Sequence, residues 1–250
     1  MISFVIPTHN RVDMLRRAVD SALAQTVPIE IVIVDGGSTD GTKDYLRDLE
    51  INSTVHVETL HRDPGMMPTW YLGASVSRGE WIHFLLDDDW NEPEFASKCS
   101  DLFADDVAIV MTNASICHDD GRREPNLPGG NPTGHYQSGD LHRAMMKMPL
   151  TISPSCAVVR RGPVLDFLAV SRLPWTPRRS ILGDIPMMLG ALASAPRAGW
   201  VNEPLSCFGA HPGSITIKEM ARDGGGTLAL EYAGMKGAWI KNLDGYRMGR

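Results

Sequence analysis

Residues 29–42 read IEIVIVDGGSTDGT. Of the first six residues only Glu30 is not an apolar β-branched one. A run with so little polar alternation fits a strand buried on both faces, as in a parallel sheet covered by helices. Asp35 ends the run and opens a Gly/Ser/Thr turn, after which residues 42–50 carry Tyr45, Leu46 and Leu49 at helical spacing. The unit is strand, polar turn, helix. Upstream, residues 2–6 form a short apolar run ended by Pro7. Asn10 and Asp13 resemble a capping pair before a helix with Leu15, Val19, Ala22 and Leu23 on one face. Downstream, residues 55–60 read as a third strand and 66–77 as a helix. Residues 81–86 form a fourth apolar run, cut off by Asp87, Asp88 and Asp89. This alternation predicts an α/β fold, a mostly parallel sheet with crossover helices. Ligands of such sheets sit beyond the carboxyl ends of the strands. Three polar stretches, 7–10, 35–41 and 87–89, are placed there together.

The second half is less regular. Strands are expected at 107–112 and 156–159, and one or two helical turns at 163–168. Residues 118–140, crowded with Gly, Pro, Asn and charge, read as a long loop of the kind used for lids or binding. The 250 residues carry a formal charge of −6 and a pI near 5.7, so no basic footprint for a nucleic acid is present. No apolar run approaches the roughly 18–20 residues of a membrane span. The start lacks the basic region and cleavage site of a signal peptide. The four cysteines are scattered without metal-ligand or disulfide spacing, so a cytoplasmic setting is expected.

Each candidate site residue has a plain structural alternative. Three adjacent carboxylates are commonly a solvated loop. At the end of a buried strand their repulsion must be relieved, and Mg²⁺ or Mn²⁺ prefer carboxylate oxygens. Alternation of side chains lets one or two of the three reach an ion. Asp35 is either a turn aspartate bonded to its own backbone or an acceptor toward a base or ribose. Asp184 precedes an apolar helix-like run with Pro186, which suits a cap, and a lone carboxylate can also act as general base toward a hydroxyl. His211 is either a loop histidine or a nitrogen ligand.

The order of these stretches resembles the family 2 glycosyltransferases with the GT-A fold. FVIPTHNR (4–11) is similar to that family's first strand and turn, and IVIVDGGSTDGT (31–42) to its second. RGEWIHFLLDDD (78–89) is similar to the approach to its metal-binding acidic motif. LGD (182–184) corresponds to the late acidic motif and HPGS (211–214) to a C-terminal histidine motif. Departures are Gly183, where the family usually has a first acid, and Trp70-Tyr71, where an Arg-Asn pair is common.

The resemblance implies a nucleotide-sugar donor, UDP before other bases, and inversion at the anomeric carbon. A divalent metal, Mn²⁺ or Mg²⁺, serves as cofactor. Thr8 and Asp35 would contact the nucleoside, Arg62 the base, and Asp87 the ribose or the metal. Asp88 and His211 would hold the metal, and Asp184 would be the base. A single domain is expected, with a nucleotide-sugar half at 1–98, an acceptor half at 99–218 and a tail at 219–250. The acceptor is a sugar, a small molecule or a lipid-linked species, shaped by 118–140 and by 173–179 with Trp175. Transfer of one sugar is the simpler expectation, and the oligomeric state stays open. A nucleotidyltransferase would need a Gly-rich basic turn after its first strand, which Pro7-Thr8-His9-Asn10 is not. A silent scaffold is argued against by the presence of Asp88 and Asp184.

Overall fold

Burial on both faces of residues 31–34 is what the structure delivers. It is a computed structural model that describes residues 1–51, 53–126, 131–147, 153–169 and 184–214, together with 218 and 224. The first half alternates as the sequence predicts: β1 (Ile2–Thr8), α1 (Val12–Leu23), β2 (Glu30–Asp35), α2 (Thr42–Leu49), β3 (Val55–Thr59), α3 (Met66–Val76) and β4 (Trp81–Phe84). Next come β5 (Trp90–Asn91), α4 (Phe95–Ser100), β6 (Val107–His118), β7 (Arg123–Pro125), β8 (Gly134–Gln137) and α5 (Ser138–Lys147). A 3₁₀ turn (Pro154–Cys156), β9 (Ala157–Arg160), α6 (Arg161–Ala169), α7 (Asp184–Ser194) and β10 (Arg197–Ala210) complete the described elements.

The strands form a single sheet in the order β3-β2-β1-β4-β9-β6-β10-β5, with β7 added to β6 and β8 to β10. The first four strands are parallel. β9 runs antiparallel to both β4 and β6, while β6 and β10 are again parallel. β5, β7 and β8 are antiparallel additions. A mostly parallel sheet therefore holds for the first half and not for the second. Connection length accounts for one of these pairings: β7 follows β6 after a four-residue turn, too short for the crossover a parallel neighbour requires.

Residues 118–140 are likewise not one long loop, since β7 and β8 lie within them. β7 is a polar strand at the sheet's margin, secured by backbone pairing with β6 and not by apolar burial. Polarity hid it. Residues 127–130, 173–179 with Trp175, and the tail apart from Gly224 lie outside the described residues.

Side-chain alternation divides the core between the two faces. Val5, Val32, Val34 and Phe84 pack against α3, α6 and α7. Phe4, Ile6, Ile31, Ile33 and Trp81 pack against α1, α2 and α4. His83 is wholly buried between Phe4 and Phe95, its ring nitrogens facing Ala157 O and Asn91 Oδ1 at 2.8 Å each. Burial pushes its pKa down to about 4, so it is a structural histidine. At the amino end of the sheet, Glu30, the first residue of β2, is buried because Ser3 Oγ and the backbone N–H and Nε of Arg78 all donate to it.

Helix α3 reaches the sheet through Gly73. A Cβ there would stand 2.3 Å from Val5 Cγ1 and 3.2 Å from Val34 Cγ2. One turn earlier Trp70 stacks on Phe84, ring centroids 4.7 Å apart. Gly73→Ala should therefore destabilise by about 1–3 kcal/mol through overpacking, outweighing the roughly 1 kcal/mol of helix propensity it gains. Urea unfolding checks this; an unchanged or raised midpoint would show that α3 can back away from β1 and β2.

Candidate active site

The carboxyl ends of β1, β2 and β4 do converge. Gly36 N–H donates to Thr8 O, joining the first two turns, and Thr8 Oγ1 donates to Asp87 Oδ2 at 3.0 Å, joining the third. Asn10 takes a left-handed conformation, φ 54°, that an amide side chain tolerates. Its Oδ1 accepts from Thr39 N–H at 2.7 Å, and its own N–H donates to Ser38 Oγ. Asn10 and Asp13 therefore do not cap α1. The orphan N–H of Val12 is taken by Asp40 from the neighbouring turn, because Asn10 is already spent holding that turn in place.

Asp35 is fully buried, and its Oδ1 accepts from Ser38 N–H at 3.0 Å and Ser38 Oγ at 2.5 Å. Of the two roles open to it, its hydrogen bonds carry out the turn-forming one. Gly37, at φ 81°, lets this turn lie against the backbone of residues 60–62; a Cβ would come within 3.0 Å of Leu60 O and Arg62 N. That contact sets Arg62 beside the turn, with its side chain exposed.

The three aspartates face three different partners. Asp87 is buried between Thr8 Oγ1 and Arg11 Nη1, the latter 3.0 Å from its Oδ1. Burial raises its pKa to about 6, with the Arg11 charge opposing and the Asp88 charge adding to the rise. Asp88 Oδ2 meets Arg11 Nη1 and His211 Nε2, each at 3.2 Å. Asp89 turns inward, where Gly209 N–H donates to its Oδ1 at 3.1 Å. Burial and the neighbouring Asp88 charge hold Asp89 above the ordinary carboxylate range. The turn is clamped from outside by Arg17. Its Nη2 donates to Asp88 O at 2.9 Å while its guanidinium lies 3.9 Å over the Trp90 ring. Gly209 makes the inner side of the clamp possible, since a Cβ there would lie 2.1 Å from Asp88 O.

His211 follows β10 directly and is buried. Gly213 N–H donates to its Nδ1 at 3.1 Å, so the neutral ring carries its proton on Nε2, toward Asp88. Among the described residues no set of three or more His, Cys, Asp or Glu side chains converges as a metal cage. The pair Asp88 and His211 fits a divalent ion in another way. A carboxylate oxygen and an imidazole nitrogen 3.2 Å apart match adjacent positions on an octahedral ion with bonds of about 2.1 Å. An ion held there would need its remaining ligands from groups other than these two side chains.

Asp184 is the first residue of α7. It is half-buried, and its Oδ1 accepts from Ile185 N–H at 2.8 Å. Burial lifts its pKa to about 7. Burial pushes the Cys156 thiol up to about 12, and the charges of Asp89 and Asp184 add to the rise. A separate cavity of about 470 Å³ lies at the other end of α7, lined by Leu192, Ser194, Pro196 and the start of α5.

The sequence reading assigned no role to Arg11, Arg17 or Gly209. Arg11 was visible only as a cation directly after the first turn; the other two carry no local signal.

An open α/β sheet with three turns and a carboxylate–imidazole pair at its carboxyl edge has its candidate site where sheets of this class bind their ligands. A profile of Glycosyl transferase family 2 matches residues 3–166, and the chain belongs to that family. An uncharacterized glycosyltransferase of Nostoc sp. is 34% identical over 170 residues, 66% of this chain. The chain spans about half the length of such curated relatives, 52% in that case. Among solved structures, TarS of S. aureus (residues 1–349, in complex with UDP-GlcNAc) superposes with a TM-score of 0.65. It is 18% identical over 85% of this chain and 59% of its own. The mannosyltransferase PcManGT of Pyrobaculum calidifontis, in complex with GDP-Man and Mn²⁺, gives 0.61 at 16% identity, over 88% and 60%. These two likenesses establish the GT-A-like fold.

The different surroundings of Asp88 and Asp89 separate their roles. Asp89→Ala should cost about 1–3 kcal/mol, because it strips a partner from Gly209 N–H. Asp88→Ala should cost less, since Arg11, one of its partners, is partly exposed and keeps Asp87. Urea unfolding of both variants tests the difference; equal losses would mean that the two carboxylates share one environment.

Proposed function

We propose that this chain transfers a sugar from a nucleoside diphosphate sugar, UDP-linked before other bases, to an acceptor hydroxyl, with inversion and assisted by Mn²⁺ or Mg²⁺. The observation that carries the reading is the 3.2 Å juxtaposition of Asp88 and His211 beside the two turns that end β1 and β2. Family membership and the nucleotide-sugar complexes of TarS and PcManGT support the donor class. The Mn²⁺ in the latter supports the metal.

In this reading residues 1–98 form the donor half and 99–218 the acceptor half. Thr8 and the turn shaped by Asp35 line the nucleoside, with Arg62 at the base and Asp87 near the ribose. Asp88 and His211 would hold the divalent ion, which when bound stabilises charge on the departing diphosphate. Asp184 takes the proton of the acceptor hydroxyl as it attacks the anomeric carbon. A carboxyl with pKa about 7 suits that task, being a stronger base than an ordinary aspartate while still ionised in useful amount near neutrality. Its bond from Ile185 N–H fixes one oxygen and leaves the other for the proton. One direct displacement inverts the centre without a covalent enzyme intermediate.

Asp184→Asn should lower turnover by at least about two orders of magnitude with donor binding little changed. In the parent, the rate should rise tenfold per pH unit below about 7 and level above it, because the ionised form is active. Stability moves the other way. A carboxyl whose pKa is raised by folding favours the fold when protonated. The parent should therefore lose melting temperature relative to Asp184→Asn as pH rises from about 4 to 7. A flat pH–rate profile, or a variant that keeps its activity, would move the base elsewhere. Thermal stabilisation by a panel of nucleotide sugars, with Mn²⁺ and with chelator, would identify the donor; equal shifts in both conditions would remove the metal.

A further inference from the structure

We propose that Arg11 is an internal counter-cation of the donor site. It holds Asp88 until a divalent ion and a diphosphate arrive together, and so makes their binding cooperative. The inference rests on the reading that Asp88 and His211 hold the ion.

One nitrogen, Arg11 Nη1, lies 3.0 Å from Asp87 Oδ1 and 3.2 Å from Asp88 Oδ2. That Asp88 oxygen is also the atom facing His211 Nε2. An ion joining Asp88 to His211 needs this oxygen, and it would meet a fixed positive charge already seated there. The two cations therefore compete for one acceptor. Arg17 is not a competitor, because it bonds the Asp88 carbonyl and leaves the carboxylate alone.

Arg11 stands at the last position before α1, with 29% of its side chain exposed. It reaches the carboxylates from the mouth of the site and can turn outward without disturbing the core. A diphosphate offers the oxygens a guanidinium fork recognises best. Diphosphate entering beside Asp88 would give Arg11 a new partner and free Asp88 for the ion. Each ligand then removes an obstacle to the other, and the coupling is reciprocal. Metal alone should bind poorly; metal with diphosphate should bind well.

The test titrates Mn²⁺ alone into nucleotide-free protein, following the loss of the free-ion electron paramagnetic resonance signal. UDP is then titrated by calorimetry with and without Mn²⁺. Arg11→Met keeps the length and removes the charge. It should bind Mn²⁺ alone at least about threefold more tightly than the parent, on the scale of one partly exposed ion pair. The factor by which Mn²⁺ strengthens UDP binding should shrink correspondingly. If Arg11→Met does not fold, Arg11→Gln retains a donor for the carboxylates without the charge and is read in the same way. Equal or weaker Mn²⁺ binding by a folded variant overturns the role of Arg11 and leaves the metal reading standing. No Mn²⁺ binding by the parent or either variant, even with UDP, overturns both.

Discussion

Adjacent carboxylates at the end of one buried strand can coexist only if each is turned to a different partner. Asp87 reaches Thr8 at the end of β1, while Asp88 and Asp89 reach His211 and the backbone of Gly209 at the end of β10. Arg11 offsets part of the charge of the first two, and burial keeps the third above its ordinary pKa. The repulsion thus fixes the architecture around it. β1 and β10 lie far apart in the sheet order, with β4, β9 and β6 between them, and the acidic turn is where they are brought into one site.

The parallel half of the fold was legible because its signals are local. Residues 31–34 are apolar and β-branched, and burial on both faces follows from that alone. The convergence of Thr8, the Asp35 turn and Asp87 followed from topology, since parallel strands with crossovers present their carboxyl ends on one edge. Pairing of Asp88 with His211 rested on a resemblance, for nothing in the spacing of two residues 123 positions apart indicates contact.

What escaped was tertiary in origin. Asn10 looked like a cap for its own helix, yet its amide is used by Thr39 and the cap comes from Asp40, a partner 28 residues away. β7 and β8 are polar, and only the presence of β6 and β10 makes them strands. Asp89 resembles its neighbours in sequence; what distinguishes it is a glycine in β10 that lets the backbone approach. Periodicity reports which face of an element is apolar, and is silent about which polar group on another strand will meet a given carboxylate.

The parallel pairing of β6 with β10 has a further consequence. Two parallel neighbours cannot be joined by a tight turn, so a long excursion, three of whose strands (β7, β8 and β9) join the same sheet, separates β6 from β10. Everything from β7 to α7, Asp184 included, is housed in that excursion. The ladder that carries His211 to Asp88 is stitched by its own backbone bonds and does not depend on the excursion's length. Insertions, deletions and new side chains can accumulate between its strands while β6 and β10 stay paired. The ladder is pinned, and the segments between the excursion's strands are left free to diversify.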